Sequence, residues 1–241
     1  MKTRIRRFML VLFCLDLCSG LFQEFRPGQS AGIFAQTGQT GGSPASMSAI
    51  QNYHVGRDLE ARGRMAEAER YYGEAIRICQ GEVSGNTANR DTYTAITWTL
   101  QRQRKYADVI TWSERGLRLF ADEYRILETM GEAYFYLDDY DRSLACMQRY
   151  ANALPRGERI SVAYFFIGEI FRLREMYRHA DIAYTTAVRL EPGLSLWWYR
   201  LAQVREFLGD RAPATEAYEQ AVRINPSYQE AIAGLARTRR Q

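Results

Sequence analysis

Apolar residues between Ser161 and Gly193 recur at helical spacing. Tyr164, Ile167, Gly168 and Phe171 stand at i, i+3, i+4 and i+7, and Ala180, Tyr184 and Ala187 repeat the stripe at i, i+4 and i+7. The pattern predicts two short helices with a turn between them. Gly168, Ala180 and Ala187 are small enough to let two helix axes approach, while the larger neighbours fill the space beside them. Pro192 stops the second helix, because it has no N–H and clashes with the preceding turn.

The same order of residue types returns along the chain. A first repeat over 49–82 carries Val55, Gly56, Leu59, Gly63, Ala68, Tyr72 and Ala75, followed by an insertion over residues 80–88. The second, 90–123, is degenerate: Tyr93, Ile96, Leu100 and Tyr106 fit, but Thr97, Val109, Ser113 and Gly116 replace the usual small or aromatic residues. The third, 124–157, has Met130, Gly131, Tyr134, Tyr140, Met147 and Pro155, with Tyr150 where a small residue stands elsewhere. The opening stretch is the fourth, 161–194. The fifth, 195–228, brings Trp198, Leu201, Ala202, Gly209, Ala214, Tyr218, Ala221 and Pro226, and Ala221 follows Ala187 by 34 residues. Ser48 with Gln51 and Ser227 with Glu230 read as capping boxes that open the first helix and a closing helix over 229–241.

This order resembles the tetratricopeptide (TPR) repeat, which places a large residue, Leu-Gly, Tyr, then Ala, Phe or Tyr, Ala and Pro over about 34 residues. The resemblance implies an all-α TPR solenoid of stacked antiparallel helix pairs, with a closing helix to shield the last pair. Five repeats exceed the roughly three that such a stack needs. In the family the concave face is lined by first-helix positions that alternate with the packing stripe. Carried onto this chain, those positions give a peptide-binding groove of Tyr53, Arg57, Trp98, Arg102, Glu128, Glu132, Phe135, Tyr136, Phe165, Arg172, Tyr199 and Phe207, with Thr94, Glu169 and Gln203 in the same row. Aromatic and Arg side chains are common anchors at interfaces; packing between helices is the competing use, for Phe135 and Phe165 above all. Some TPR co-chaperones hold a chaperone's C-terminal carboxylate with Lys and Asn at fixed groove positions. Tyr53, Arg57, Thr94 and Trp98 occupy those positions here, so that clamp is absent and an apolar extended or helical segment is the expected partner.

The amino end reads differently. Residues 1–35 begin with Lys2, Arg4, Arg6 and Arg7 ahead of an apolar run from Phe8 to Leu17, the layout of an export signal or anchor segment. Cleavage after Ala35, cleavage near Ser19–Gly20, lipid attachment at Cys18 and an uncleaved leader are the alternatives. Residues 36–48, rich in Gly, Gln, Thr and Ser, read as a flexible linker. The formal net charge is +4, and residues 1–35 hold five basic against two acidic side chains, so the repeats are close to neutral. No basic stripe for nucleic acid is present outside the short Arg237, Arg239, Arg240 tail, which reads as a solvated helix end.

Catalytic patterns are missing. His54 and His179 are the two histidines and fall in different repeats, and no HExxH, CxxC, phosphate-binding Gly-rich loop or GxSxG occurs. Cys79 and Cys146 lie on second helices two steps apart, beyond disulfide reach, and read as small buried hydrophobes. Asp138, Asp139 and Asp210 precede second helices, where capping is the ordinary role of Asp. The sequence therefore predicts a scaffold that is not an enzyme, takes no cofactor or metal, and binds a protein or peptide segment at the bacterial cell envelope, exported or periplasmic. The alternatives are a membrane-anchored, lipoprotein-like assembly factor for an envelope complex, touching the membrane only through its amino-terminal segment, and a self-associating homo-oligomer.

Overall fold

A computed structural model of the chain describes residues 43–240. The segment predicted as an export signal or anchor and most of the predicted linker lie outside the described residues. Eleven α-helices follow one another among those residues: α1 (Ala49–Ala61), α2 (Met65–Ser84), α3 (Arg90–Arg102), α4 (Tyr106–Leu119), α5 (Tyr124–Tyr136), α6 (Tyr140–Ala153), α7 (Ile160–Leu173), α8 (Tyr177–Leu190), α9 (Ser195–Leu208), α10 (Arg211–Ile224) and α11 (Gln229–Arg240). The fold is all-α, made of stacked helix pairs. It divides into two compact units, one reaching to Ile170 and one beginning at Phe171, so the division falls within the last turn of α7.

Five short turns carry the repeat register. Gly63, Arg104, Asp138, Glu175 and Gly209 each sit between the two helices of a pair, and each adopts positive φ (74°, 57°, 60°, 59° and 80°). Only two of the five are glycine, the residue that takes this left-handed conformation without a Cβ penalty. Asp138 is tolerated for a local reason: its carboxylate accepts from the Tyr140 hydroxyl at 2.7 Å.

Caps set several helix starts. Ser48 and Gln51 form the predicted box on α1, with Gln51 N donating to Ser48 Oγ at 3.3 Å and Ser48 N to Gln51 Oε1 at 2.9 Å. Asn89 and Thr92 do the same for α3. Asp139 caps α6 by accepting from Arg142 N. Two expectations are corrected. Asp210 stands at the N-cap of α10 without a side-chain capping bond. Ser227 does not cap the closing helix either: its N–H and hydroxyl both donate to Asn225 Oδ1, at 3.1 and 2.8 Å, and α11 begins two residues later. Asn outcompetes the intended box because its side-chain oxygen reaches the backbone two residues on.

The insertion after the first repeat is partly helical, since α2 continues to Ser84. The end of the predicted linker is tied down as well. Residues Pro44–Ser46 make a 3-10 turn, and the buried Asn52 donates to the carbonyls of Pro44, Met47 and Ser48 at 3.0–3.3 Å.

In the unit reaching to Ile170, α1 packs on α2, α3 on α4 and α5 on α6, while α1 lies beside α3 and α3 beside α5. First helices thus form one layer. The small residues do what their size allows: a Cβ on Gly56 would stand 2.5 Å from the Tyr72 ring, and one on Gly116 would stand 2.9 Å from Tyr93. Gly116 marks the second repeat as degenerate in sequence, yet it is the space that Tyr93 needs. In the unit beginning at Phe171, α9 packs on α8 and α10, and α11 closes against α10 and α9. Its interior holds Ala180, Tyr184, Ala187, Ala214, Tyr218 and Ala221, all completely buried.

Candidate functional site

Because α1, α3 and α5 lie side by side, first-helix side chains from successive repeats meet on one face. Tyr53 of α1 and Trp98 of α3 are half-buried, with ring centroids 5.2 Å apart. Arg57, one turn along α1 from Tyr53, is half-buried and pairs with Asp58 at 3.0 Å. Arg102, one turn along α3 from Trp98, holds Glu60 through Nε at 2.9 Å and Nη2 at 2.7 Å. The Tyr53 hydroxyl is pushed up from its ordinary pKa chiefly by burial, against the nearby Arg102, Arg57 and Arg159 and with Glu132 adding to the rise. One aromatic pair therefore stands next to a field of both signs.

Beneath it lies a second layer of polar contacts. Arg159, just ahead of α7, donates through Nε to Glu128 Oε1 at 2.9 Å and through Nη2 to Glu132 Oε1. Gln101 of α3 donates to Glu132 Oε2 at 2.9 Å. Burial raises the Glu128 carboxyl well above the usual carboxylate range, with Arg159 opposing and Glu132 reinforcing that rise. Arg159 is correspondingly raised by its two carboxylates in spite of burial.

Several positions predicted to line the groove belong to the interior instead. Glu128 and Phe165 are 1 % exposed and Phe135 is 7 % exposed, so they offer a partner almost no surface. Phe135 sits edge-on to Phe166 with centroids 5.0 Å apart, and Phe165 packs on Phe166 at 6.1 Å. Large rings beside a helix that crowds its neighbour gain more from burial than from water. Glu132 is buried too, though its carboxylate meets Arg159 and Gln101. Tyr136 is half-buried and stacks on Tyr106 at 4.7 Å. Tyr53, Arg57, Trp98 and Arg102 remain on the accessible face. Arg159, Gln101 and Glu60 were missed by groove spacing alone. Arg159 lies in the spacer that the repeat pattern leaves unassigned, and its distance in sequence from Glu128 equals that of Gln101 from Glu132, 31 residues.

Arg172, Tyr199 and Phe207 belong to the unit beginning at Phe171. Arg172 and Tyr199 are half-buried, with the Tyr199 ring 5.0 Å from Tyr228 and its hydroxyl accepting from Gln203 at 2.8 Å. Phe207 is 66 % exposed and stacks on Tyr177 at 4.8 Å. It borders a cleft of about 230 Å³ lined by Gln203, Glu206, Tyr218 and Arg237.

Among the described residues, no group of His, Cys, Asp and Glu is placed to hold a metal ion, and no helix is long and apolar enough to cross a membrane. His54 and His179 are exposed, each against an aromatic ring: Tyr53 at 5.2 Å and Phe171 at 5.2 Å.

A family model described as Tetratricopeptide repeat matches residues 198–228. The fold is that of a tetratricopeptide repeat protein. No curated protein matches the chain. Among solved structures, a chain of the APC/C hetero-tetramer Cut9–Hcn1 aligns with a TM-score of 0.64 at 14 % identity over 79 % of this chain, which spans 36 % of that one. PilF of Pseudomonas aeruginosa aligns with a TM-score of 0.64 at 13 % identity, over 81 % of this chain and 85 % of its own. YrrB, described as a TPR protein with an unusual peptide-binding site, aligns with a TM-score of 0.52 at 18 % identity, over 77 % of this chain and 91 % of its own. At these identities the likeness is one of fold. The TPR fold is typically a non-catalytic scaffold, and fold alone does not name a partner.

Proposed function

We propose that this TPR chain is a non-enzymatic scaffold that captures a protein segment on the face formed by Tyr53, Arg57, Trp98 and Arg102. The observation that carries the reading is the Tyr53–Trp98 pair: two large rings on adjacent first helices, half-exposed and flanked by arginines. Trp, Tyr and Arg are enriched among the few residues that dominate binding energy at protein interfaces. YrrB, a structural neighbour described as having a peptide-binding site, supports the same use of the fold.

Selection of a random dodecapeptide display library on the purified chain tests this. Selected peptides should lose at least tenfold in affinity for a Trp98→Ala, Arg57→Ala double variant whose helicity is unchanged. Undiminished affinity removes this face from consideration. Tyr136 is left intact in that experiment, because its stacking on Tyr106 makes it part of the packing.

We place the scaffold at the bacterial cell envelope, on the basic start and apolar run of residues 1–35. Mass spectrometry of the mature amino terminus decides it: Gly20 or Gln36 in front supports an exported soluble protein, acylated Cys18 a membrane-anchored one, and an intact unacylated Met1 in a soluble fraction refutes both.

A further inference from the structure

The face proposed above has a floor with more acceptors than donors. Gln101 is 8 % exposed, and its Nε2 donates to Glu132 Oε2 at 2.9 Å. That bond sets the amide orientation, since the flipped amide would press its oxygen against a carboxylate. Gln101 Oε1 is consequently left buried with no hydrogen-bond donor. Next to it, the carboxylates of Glu132 and Glu128 share the guanidinium of Arg159. The other cations at this face are already matched, Arg102 to Glu60, Arg57 to Asp58, and Arg125, which lies 5.9 Å from the centre of the Trp98 ring, to Glu123 and Asp91. Two carboxyl groups on one arginine, together with an orphaned amide oxygen, leave the floor with more acceptors than N–H groups.

We propose that this floor receives a basic side chain of the bound segment, a lysine or an arginine. Its N–H groups would satisfy Gln101 Oε1 and the remaining lone pairs of Glu132. The rings of Tyr53 and Trp98 would flank its stem, and an aromatic face favours a cation over a neutral group. A charge that enters a partly desolvated site gains only where partners await it, and here they are in place before binding. The proposal rests on the same face as the proposed function and narrows the partner from an apolar segment to an apolar segment with a basic residue.

Four pools of N-acetylated, C-amidated hexapeptides test it. Each has one defined central residue (Lys, Arg, norleucine or Glu) and flanks randomised over Phe, Leu, Tyr, Ala and Ser, and binding is measured by calorimetry on the full chain. The Lys and Arg pools should bind at least tenfold tighter than norleucine, with the advantage shrinking as salt rises. Gln101→Met and Glu132→Gln should each reduce that preference below threefold while norleucine binding holds. Equal binding of the Lys, Arg and norleucine pools, or a preference for Glu, overturns the inference and leaves the groove standing. Failure of every pool to bind overturns the groove reading itself. If one variant loses helicity, the other carries the comparison.

Discussion

The Tyr72 hydroxyl donates to Oε2 of Glu60 across 2.6 Å. Glu60 in turn takes both arms of Arg102, so one carboxylate ties a second helix to its own first helix and to the first helix of the next repeat. The arrangement recurs in the other unit. There the Tyr218 hydroxyl donates to Glu206 at 2.7 Å, and Arg237 of the closing helix holds Glu206 at 2.5 and 2.7 Å. Each carboxylate spans three helices, which explains why Arg237, a solvated helix end by composition, has a structural partner. Tyr72→Phe and Tyr218→Phe should each cost about 1.5–3 kcal/mol, the range for a hydrogen bond to a charged group. Urea unfolding checks this, and an unchanged midpoint for both variants refutes it.

Close approach of α1 to α2 depends on Gly56. Gly56→Ala would drive a Cβ to 2.5 Å from Tyr72 and should destabilise the chain by about 1–3 kcal/mol. Gly73 in the interior of α2 is the control: nothing lies within 4 Å of its Cβ position, so Gly73→Ala should stabilise by about 0.5–1 kcal/mol. Opposite signs in the two denaturation curves are the expected result.

Gly209 isolates the backbone contribution. Its φ is +80° and nothing lies within 4 Å of a Cβ placed there, so the loss on Gly209→Ala, about 1–2 kcal/mol, comes from conformation alone. A stability within experimental error of the parent would mean that the turn relaxes.

Glu128 links stability to pH. Its carboxyl is raised in the folded chain, mainly by burial, from an ordinary value of 4.5. The folded state therefore holds this proton more tightly than the unfolded state, and the associated stability is full below about 4.5 and lost as pH rises through the raised value. Glu128→Gln removes that loss. Relative to the parent, the variant should gain stability between pH 5 and 8, read as the difference in urea midpoints across that range. A difference that moves the other way refutes the assignment.

Cys79 and Cys146 are both free and buried. Burial pushes their thiols up to about 12 and about 11, which suppresses the reactive thiolate at neutral pH. In a chain with Cys14 and Cys18 changed to Ser, a thiol reagent at pH 8 should label neither residue promptly in the folded protein and both after denaturation. Fast labelling before unfolding would contradict their placement.

Much of the fold was legible from spacing. Small residues such as Gly56, Ala180 and Ala187 and large partners such as Tyr72 and Tyr184 recur at helical intervals, and periodicity reports which face is buried. Two of the left-handed turns were visible as Gly63 and Gly209, whereas Arg104 and Glu175 conceal theirs, because neither residue type prefers positive φ. Ser227 misled for a related reason: its local pattern fits a cap, but Asn225 claims its donors first.

The sequence by itself determined the helix pairs and their order, since each follows from periods within one repeat, and the resemblance to TPR repeats supplied the row of first-helix positions. Only the tertiary structure decided which members of that row stay accessible. Phe135, Phe165 and Glu128 went inward, Tyr53 and Trp98 stayed at the surface, and Arg159 arrived from an unassigned spacer to join two glutamates. The meeting of Arg159 with Glu128 and Glu132 depends on contacts between side chains 31 and 27 residues apart, and a helical period cannot report what the neighbouring repeat brings to the same place.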